Sequence, residues 1–345
     1  MFSPEVLAID APAVTEQITR AIESQVRGTL RRRGVVVGLS GGVDSSVVAA
    51  LCTRALGPNR VFGLFMPERD SSDDSLRLGQ LLAAHLGIDT VIENIGPILD
   101  AAGCYRRQIE AIRQVFHEYG EGWKCKLTLP SILDSDRFNV FQLTVESPGD
   151  EPGGSRVMTS RMPPAAYLQL VAATNFKQRI RKNMEYYHAD RLMHAVAGTP
   201  NRLEYDQGFF VKNGDGSADF KPIAHLYKTQ VYQLAAYLGL PEEIRSRPPT
   251  TDTFSMAQTQ EEFYFSLPYH EMDLCLHAHN HGVPAAEVAS AIGLTAAQIE
   301  RVYRDIEAKR RTTQYLHLAP LFVDKVSEVS FLPIEPSASP AARNA

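Results

Sequence analysis

Cysteine is scarce: Cys52, Cys104, Cys125 and Cys275 are the four in 345 residues, with no Cys-x-x-Cys pair and no zinc-ligand spacing. That excludes a disulfide framework or a cysteine metal centre as the organising principle and points to a reducing compartment. No apolar run approaches the length of a membrane span, and the opening MFSPEVLAIDAPAV has no basic segment followed by an apolar core. A cytoplasmic protein with no membrane partner is therefore expected. A basic balance is also missing: the net charge is −5, which argues against a general nucleic-acid binder. What remains is ordinary globular composition, 44% hydrophobic and 22% charged, enough for one large or two modest domains with ample core.

Two common nucleotide signatures are absent as well. No Gly-Lys-Ser/Thr closes a Walker loop, and no G-x-G-x-x-G spacing marks a dinucleotide fold. Instead, VVVGLSGGVDSSVVAAL runs from Val35 to Leu51. Its first residues read as a buried strand, its last as an apolar helix, and between them lie Ser40, Gly41, Gly42, Asp44, Ser45 and Ser46. Paired glycines let the backbone approach a ligand closely. Turn amides, serine hydroxyls and the positive end of a helix favour an anion. A structural turn also needs small residues, but the strand–turn–helix setting and the number of fixed positions favour a phosphate cradle. Asp44 adds the carboxylate oxygen that a hard cation prefers.

Strands and helices alternate around this unit. Val14, Ile18, Ile22, Val26 and Leu30 recur every four residues and predict a helix over Pro12–Arg33, with Arg31, Arg32 and Arg33 as its solvated end. Val61–Met66 and Asp89–Asn94 read as strands, and Ile98–Tyr119 as helix. Arg69 and Asp70 follow a strand C-terminus, where a parallel sheet places its ligand crevice. Trp123–Pro164 breaks the pattern with prolines, glycines and a polar run. Phe138–Val145 and Arg156–Thr159 suggest a hairpin within it, serving as a lid, a partner surface or a tolerated loop. Ala165–Ala189 reads as a long helix with Lys177 and Arg181 on a solvated face, and Leu192–Ala197 as a fourth strand. Asn213–Gly216 is a tight turn, Tyr227–Leu238 a helix, and the region from Thr250 helical and polar. His277, His279 and His281 alternate, a spacing that cannot bring all three to one metal on a helix. The fold expected is α/β: a doubly wound parallel sheet with helices on both faces and a helical C-terminal region.

The phosphate loop resembles the S-G-G-x-D-S signature of ATP pyrophosphatases. Further blocks, GTPNRLE from Gly198, KNGDGSADFKPI from Lys212 and LYKTQVYQLAAYLGLPEEI from Leu226, follow in order, and with them the chain resembles the NAD synthetases over roughly Val14 to Asp273. The resemblance implies amidation of deamido-NAD⁺: its carboxylate attacks the α-phosphorus of ATP, pyrophosphate leaves, and ammonia displaces AMP. It also implies roles by position. Ser40, Gly41, Gly42, Asp44, Ser45 and Ser46 would bind pyrophosphate, and Asp44 and Glu204 would hold Mg²⁺. Arg179 and Thr199 would contact ATP, and Lys228 and Thr250 its phosphates, with Asp44, Lys228 and Thr250 as the catalytic set. Asn175, Lys212, Asp215 and Asp219 would position deamido-NAD⁺. A homodimer is implied, with the Pro12–Arg33 helix as one candidate surface.

The sequence departs from that family pattern in three places. The closing His-Lys-Arg segment of many members is replaced by Lys309-Arg310-Arg311-Thr312-Thr313-Gln314-Tyr315-Leu316-His317. The segment at about 123–164 is larger than compact members carry. No nitrilase-like glutaminase domain accompanies the chain, so ammonia would be free or supplied by a separate glutaminase. The expected division is a synthetase-like unit over 1–273 and a helical extension over 274–345. An amide ligase for another carboxylate, a tRNA-modifying pyrophosphatase and a non-catalytic nucleotide-binding relative are the alternatives. If Asp44 holds the metal, Asp44→Asn will abolish pyrophosphate release while leaving the fold intact; near-normal release by that variant would contradict the role.

Overall fold

The computed structural model describes residues 2–129, 133, 141–149, 154–250 and 253–324. Helix α1 (Ala11–Glu23) begins at the Asp10 cap and continues into a wider turn, Ser24–Thr29. Arg31 adopts a left-handed backbone, so the helix ends there, short of Arg33. Strand β1 (Val35–Gly38) leads to α2 (Val43–Leu56), β2 (Val61–Phe65), α3 (Asp73–Leu86) and β3 (Asp89–Ile92). The expected helix over Ile98–Tyr119 is two helices, α4 (Gly96–Ala101) and α5 (Cys104–Arg113), divided at Gly103 with φ +69°. Helix α6 (Pro164–Leu192) is longer than its expected bounds and takes the first residue of the expected fourth strand; Met193 follows in a left-handed conformation, leaving β7 as Ala195–Val196.

The sheet order is β3-β2-β1-β7, all parallel, with Val35 paired to both Val61 and Ala195. Burial on both faces explains the unbroken apolar runs of β1 and β2, whereas β3, at the edge, is largely exposed. Val35 and Val37 join a core with α1 and α2, whereas Val36 and Leu64 meet Ala189 of α6 on the opposite face. The first of these cores also contains Val231 and Leu234, from α8 (Lys228–Tyr237). Gly41, at φ +73°, lies so close to α3 that a Cβ there would sit 2.6 Å from the Ser75 carbonyl. Only glycine fits that turn.

Between α5 and α6 lies a separate antiparallel sheet. Strand β4 (Lys124–Thr128) pairs with β5 (Gln142–Glu146), which pairs with β6 (Val157–Arg161). The expected hairpin is present as β5–β6, with one further strand. Phe138–Val140 of its expected start, and residues 150–153 of its turn, lie outside the described residues.

After β7 come α7 (Arg202–Gln207), α8 (Lys228–Tyr237) and α9 (Glu242–Arg245), then α10 (Tyr269–Asn280), α11 (Ala285–Ile292) and α12 (Ala296–His317). The region from Thr250 is less uniform than expected. It opens with an isolated Thr250–Thr259 bridge and a wide turn, Glu261–Phe265. Nor is it polar inside. Leu274, Cys275, Ile299, Val302 and Ile306 form a second core with Phe2, Leu7, Leu203 and Tyr227. Burying each large aliphatic side chain contributes roughly 1.5–3 kcal/mol, which fastens α12 to the body of the protein. Residue 273 falls inside α10.

Asp273 joins these two regions. It is 0% exposed, and its carboxyl accepts from the backbone amides of Lys228, at 3.2 Å, and Thr229, at 2.6 Å. Two of the free N–H groups in the first turn of α8 are thereby satisfied from outside the helix. Asp273→Ala should lower the unfolding free energy by about 1–3 kcal/mol in urea titration; an unchanged midpoint would show that the cap contributes nothing.

Candidate functional site

A cavity of about 540 Å³ opens at the C-terminal ends of β1, β2 and β7, bounded by α6, α7, α8 and the segment after Pro248. Ends of parallel strands are where such a sheet leaves room for a ligand, because strand order reverses there. Ser40, Gly42, Asp44 and Ser45 line the cavity at the start of α2. The turn is wrapped on itself: Ser45 Oγ lies 3.2 Å from Ser40 Oγ and donates to the Gly42 carbonyl at 3.1 Å. Ser46 is fully buried and donates to the same carbonyl at 2.8 Å. Ser46 and Gly41 therefore shape the cradle from behind and do not face the cavity.

The charged centre gathers three expected residues from distant parts of the chain. Lys228 Nζ, 2% exposed, pairs with Asp44 Oδ2. Asp44 Oδ1 accepts from Asn201 Nδ2 at 3.0 Å. Asn201 caps α7 reciprocally with Glu204: its side chain accepts from the Glu204 amide, and Glu204 accepts from the Asn201 amide at 3.0 Å. The remaining Glu204 oxygen accepts from Gln260 Nε2 at 3.0 Å. Withdrawal from water and the neighbouring Asp44 carboxylate hold the Glu204 carboxyl far above the ordinary carboxylate range, against the pull of Lys228. Burial acts to lower the Lys228 ammonium, but Asp44 and Glu204 outweigh it and the net shift is upward. Lys228 is thus a fixed positive charge. The two carboxyls supply the oxygen donors that a hard divalent cation takes together with phosphate oxygens and water, and each of their four oxygens also holds a protein partner. Among the described residues no group of three or more His, Cys, Asp or Glu is arranged for a metal; the alternating His277 and His281 rings stack at 4.1 Å.

Most other expected residues also reach the cavity. Asn175, Arg179, Thr199, Lys212, Asp215 and Thr250 line it. Arg179 Nε donates to the Lys212 carbonyl at 3.3 Å. Asp215 accepts from the Val211 amide at 2.7 Å, and burial raises its carboxyl above the usual range. Asp219 does not line this cavity. Its carboxyl accepts from the Val196 amide at 2.8 Å and from the Tyr186 hydroxyl at 3.3 Å, tying the turn to β7. It borders a smaller hollow of about 370 Å³ beside α1 instead.

Three readings of charge are corrected here. Lys177 is not on a solvated face. It is 1% exposed, with Nζ 2.6 Å from Asp70, 3.0 Å from Glu68 and 2.9 Å from the Thr253 carbonyl. Asp70 is consumed by that pair, and Arg69 lies 3.9 Å over the Tyr105 ring, so neither lines the cavity. Among residues that sequence reasoning missed, Lys182 and Glu185 form a buried pair at 2.6 Å on the cavity wall. Asn201 was foreshadowed by the N-x-x-E capping pattern, whereas Gln260 carried no signal. The altered C-terminal segment also reaches the site. Arg310 clasps Asp206 of α7 with bonds of 2.6 and 2.8 Å, Lys212 Nζ donates to the Tyr315 carbonyl at 2.7 Å, and Tyr315 and Leu316 line the cavity.

Comparison with known proteins gives one answer. The family model described as NAD synthase matches residues 14–116 and 153–314, leaving 117–152 unmatched. The NH(3)-dependent NAD(+) synthetase of Mesorhizobium japonicum is 65% identical over 322 residues, covering 93% of this chain and 99% of that protein. The Rhizobium meliloti protein of the same name is 57% identical over 329 residues, covering 95% and 97%. Among solved structures, the NH3-dependent NAD synthetase from Campylobacter jejuni, in complex with the nitrate ion, aligns with a TM-score of 0.58 at 25% identity, covering 92% of this chain and all of that one. NMN synthetase from Francisella tularensis shares the fold, with a TM-score of 0.60 at 20% identity, over 91% and 99%.

A carboxyl raised from 4.5 to about 8 contributes stability that is complete below the lower value and is lost as pH rises through the higher one. Without nucleotide or divalent cation, the melting temperature should therefore fall more steeply between those pH values for the native chain than for Glu204→Gln. Parallel profiles would show that Glu204 is already ionised.

Proposed function

The chain belongs to the NAD synthase family, and we infer that it makes NAD⁺ from deamido-NAD⁺, ATP and ammonia. The observation that carries this reading beyond resemblance is the convergence of Asp44, Glu204 and Lys228 at the phosphate loop. A carboxylate is a poor electrophile until one oxygen becomes part of a good leaving group. In the first step the nicotinate carboxylate oxygen bonds to the α-phosphorus of ATP, the bond to the bridging oxygen breaks, and pyrophosphate departs. In the second, ammonia adds to the acyl carbon, a proton is lost, and AMP leaves with the former carboxylate oxygen.

Alignment and charge neutralisation supply most of the rate enhancement in such transfers. Ser40, Gly42 and Ser45 receive the pyrophosphate, with the first turn of α2 behind them. Lys228, held charged chiefly by Asp44, balances negative charge gathering on the phosphates. Thr250, at the cavity mouth, is assigned to the same phosphates. Arg179 and Thr199 take the remaining ATP contacts, and Asn175, Lys212 and Asp215 orient deamido-NAD⁺. We assign Mg²⁺ to Asp44 and Glu204; when bound it neutralises phosphate charge. Asp219 is assigned to the dinucleotide only if a second copy of the chain brings substrate to the α1 side, in keeping with the homodimer implied by resemblance. A cytoplasmic location, and ammonia taken up free or delivered by a separate glutaminase, complete the proposal. An amide ligase for a different acid is not favoured, because relatives at 57% and 65% identity carry the ammonia-dependent synthetase name.

The test is NAD⁺ formation from deamido-NAD⁺, ATP and Mg²⁺, with ammonium or with glutamine as the only nitrogen source. Product is expected with ammonium and none with glutamine. Absence of product with both nitrogen sources would overturn the assignment.

A further inference from the structure

The cavity has two chemically different walls. Around the phosphate loop its charged and hydroxyl groups are interspersed with the apolar Leu39, Val43 and Phe65. Away from that loop it is lined by Leu127, Phe141, Tyr167, Val171, Phe254 and Phe263. Leu127 and Phe254 are buried in the core beneath the antiparallel sheet; the other four are half-buried and packed against that core. The rings are ordered relative to one another. Phe141 stacks on Tyr167 with centroids 5.1 Å apart and planes 23° apart, and it meets Phe263 at 6.0 Å. Phe263 in turn meets Phe254 edge-on at 5.8 Å.

This wall is assembled from three places in the chain. Leu127 and Phe141 come from the stretch without counterpart in the family model, Tyr167 and Val171 from α6, and Phe254 and Phe263 from the segment after Pro248. Backbone bonds lock the first to the third. The Met256 amide donates to the Cys125 carbonyl at 3.0 Å, the Leu129 amide to the Glu262 carbonyl at 2.8 Å, and the Cys125 amide to Ser255 Oγ at 2.9 Å. Lys177 fastens Thr253 from the α6 side. A rigid aromatic surface inside a substrate cavity is unfavourable in contact with water and well suited to a flat ligand. Its stacked and tilted rings present π faces and edges to which a planar heteroaromatic ring is complementary, and more so if that ring carries positive charge.

We propose that Phe141, with Tyr167 and Phe263, forms a ring-binding subsite that takes a planar heteroaromatic ring of a nucleotide substrate. The proposal rests on the synthetase reading, whose substrates supply such rings from two sources: the adenine of ATP, or the cationic pyridine ring and adenine of deamido-NAD⁺. Phe141, the residue before β5, and Leu127 of β4 beside it place part of this subsite outside the stretches shared with the family model.

The experiment uses the full chain with Phe141→Ala, Phe141→Tyr and, on a different element, Tyr167→Leu. KM and kcat are measured separately for ATP and deamido-NAD⁺ with ammonium as donor. Phe141→Ala and Tyr167→Leu should each raise KM for one of the two nucleotides by about three- to tenfold, with kcat within twofold, and Phe141→Tyr should restore it. A rise confined to ATP assigns adenine of ATP; a rise confined to deamido-NAD⁺ assigns its rings. Unchanged KM values for both in a chain with native melting behaviour would overturn the subsite. So would an equal fall in kcat for all variants without a KM change, the signature of a purely structural wall. If the native chain turns over no deamido-NAD⁺, calorimetric binding of ATP and deamido-NAD⁺ to native and Phe141→Ala chains decides the subsite independently of the reaction.

Discussion

The ion pair between Lys228 and Asp44 is the contact on which the site depends. Removing two charges from water is costly unless each is paired and hydrogen-bonded. Here the cost is offset by a closed set of partners: Asn201 on Asp44, Glu204 near the ammonium, and Gln260 on Glu204. Asn201 and Glu204 come from the start of α7, and Gln260 from the segment just before the Glu261–Phe265 turn. The pair therefore holds the phosphate loop on α2 against the starts of α7 and α8, and it does so only when the sheet and the helices around it are in register. Asp273 extends the same constraint into α10 by holding the first amides of α8.

The second constraint is how the open side of the sheet is closed. The ends of β1 and β2 leave a crevice, and three later segments cover it. The small antiparallel sheet grips residues 255–262 through backbone hydrogen bonds. Lys177, buried between Glu68 and Asp70, holds the Thr253 carbonyl. The end of α12 arrives by a different route, carried on its own apolar core and fixed by Arg310 to Asp206. Its basic residues act as fasteners, and an aromatic and an aliphatic residue, Tyr315 and Leu316, reach the cavity. The altered C-terminal sequence thus reaches the cavity through Tyr315 and Leu316.

Legibility varied with the range of the interactions involved. The strand–turn–helix at Val35–Leu51 could be read directly, because apolar runs, paired glycines and a helix start are local signals. The parallel sheet followed from alternation of strand and helix. Lys177 was misread because (i, i+4) spacing describes a face of a helix and says nothing of what covers it; Glu68 and Asp70 lie more than a hundred residues away. The break at Gly103 was missed because apolar periodicity continues through it. The apolar interior of the C-terminal helices was missed because its partners, Phe2, Leu7 and Leu203, are remote in sequence.

Local chemistry in the sequence was sufficient for the strand–turn–helix at Val35–Leu51, the parallel α/β class and the identity of the charged residues, because each depends on spacing within one or two turns or strands. Tertiary structure alone decided which of those charges meet. Asp44, Glu204 and Lys228 converge, Asp219 turns back to hold β7, and Ser46 faces inward. It also decided that an unmatched stretch would supply an aromatic wall to the cavity. The physical reason is that burial, desolvation and counter-charge are properties of the folded neighbourhood, and no segment carries its neighbourhood with it.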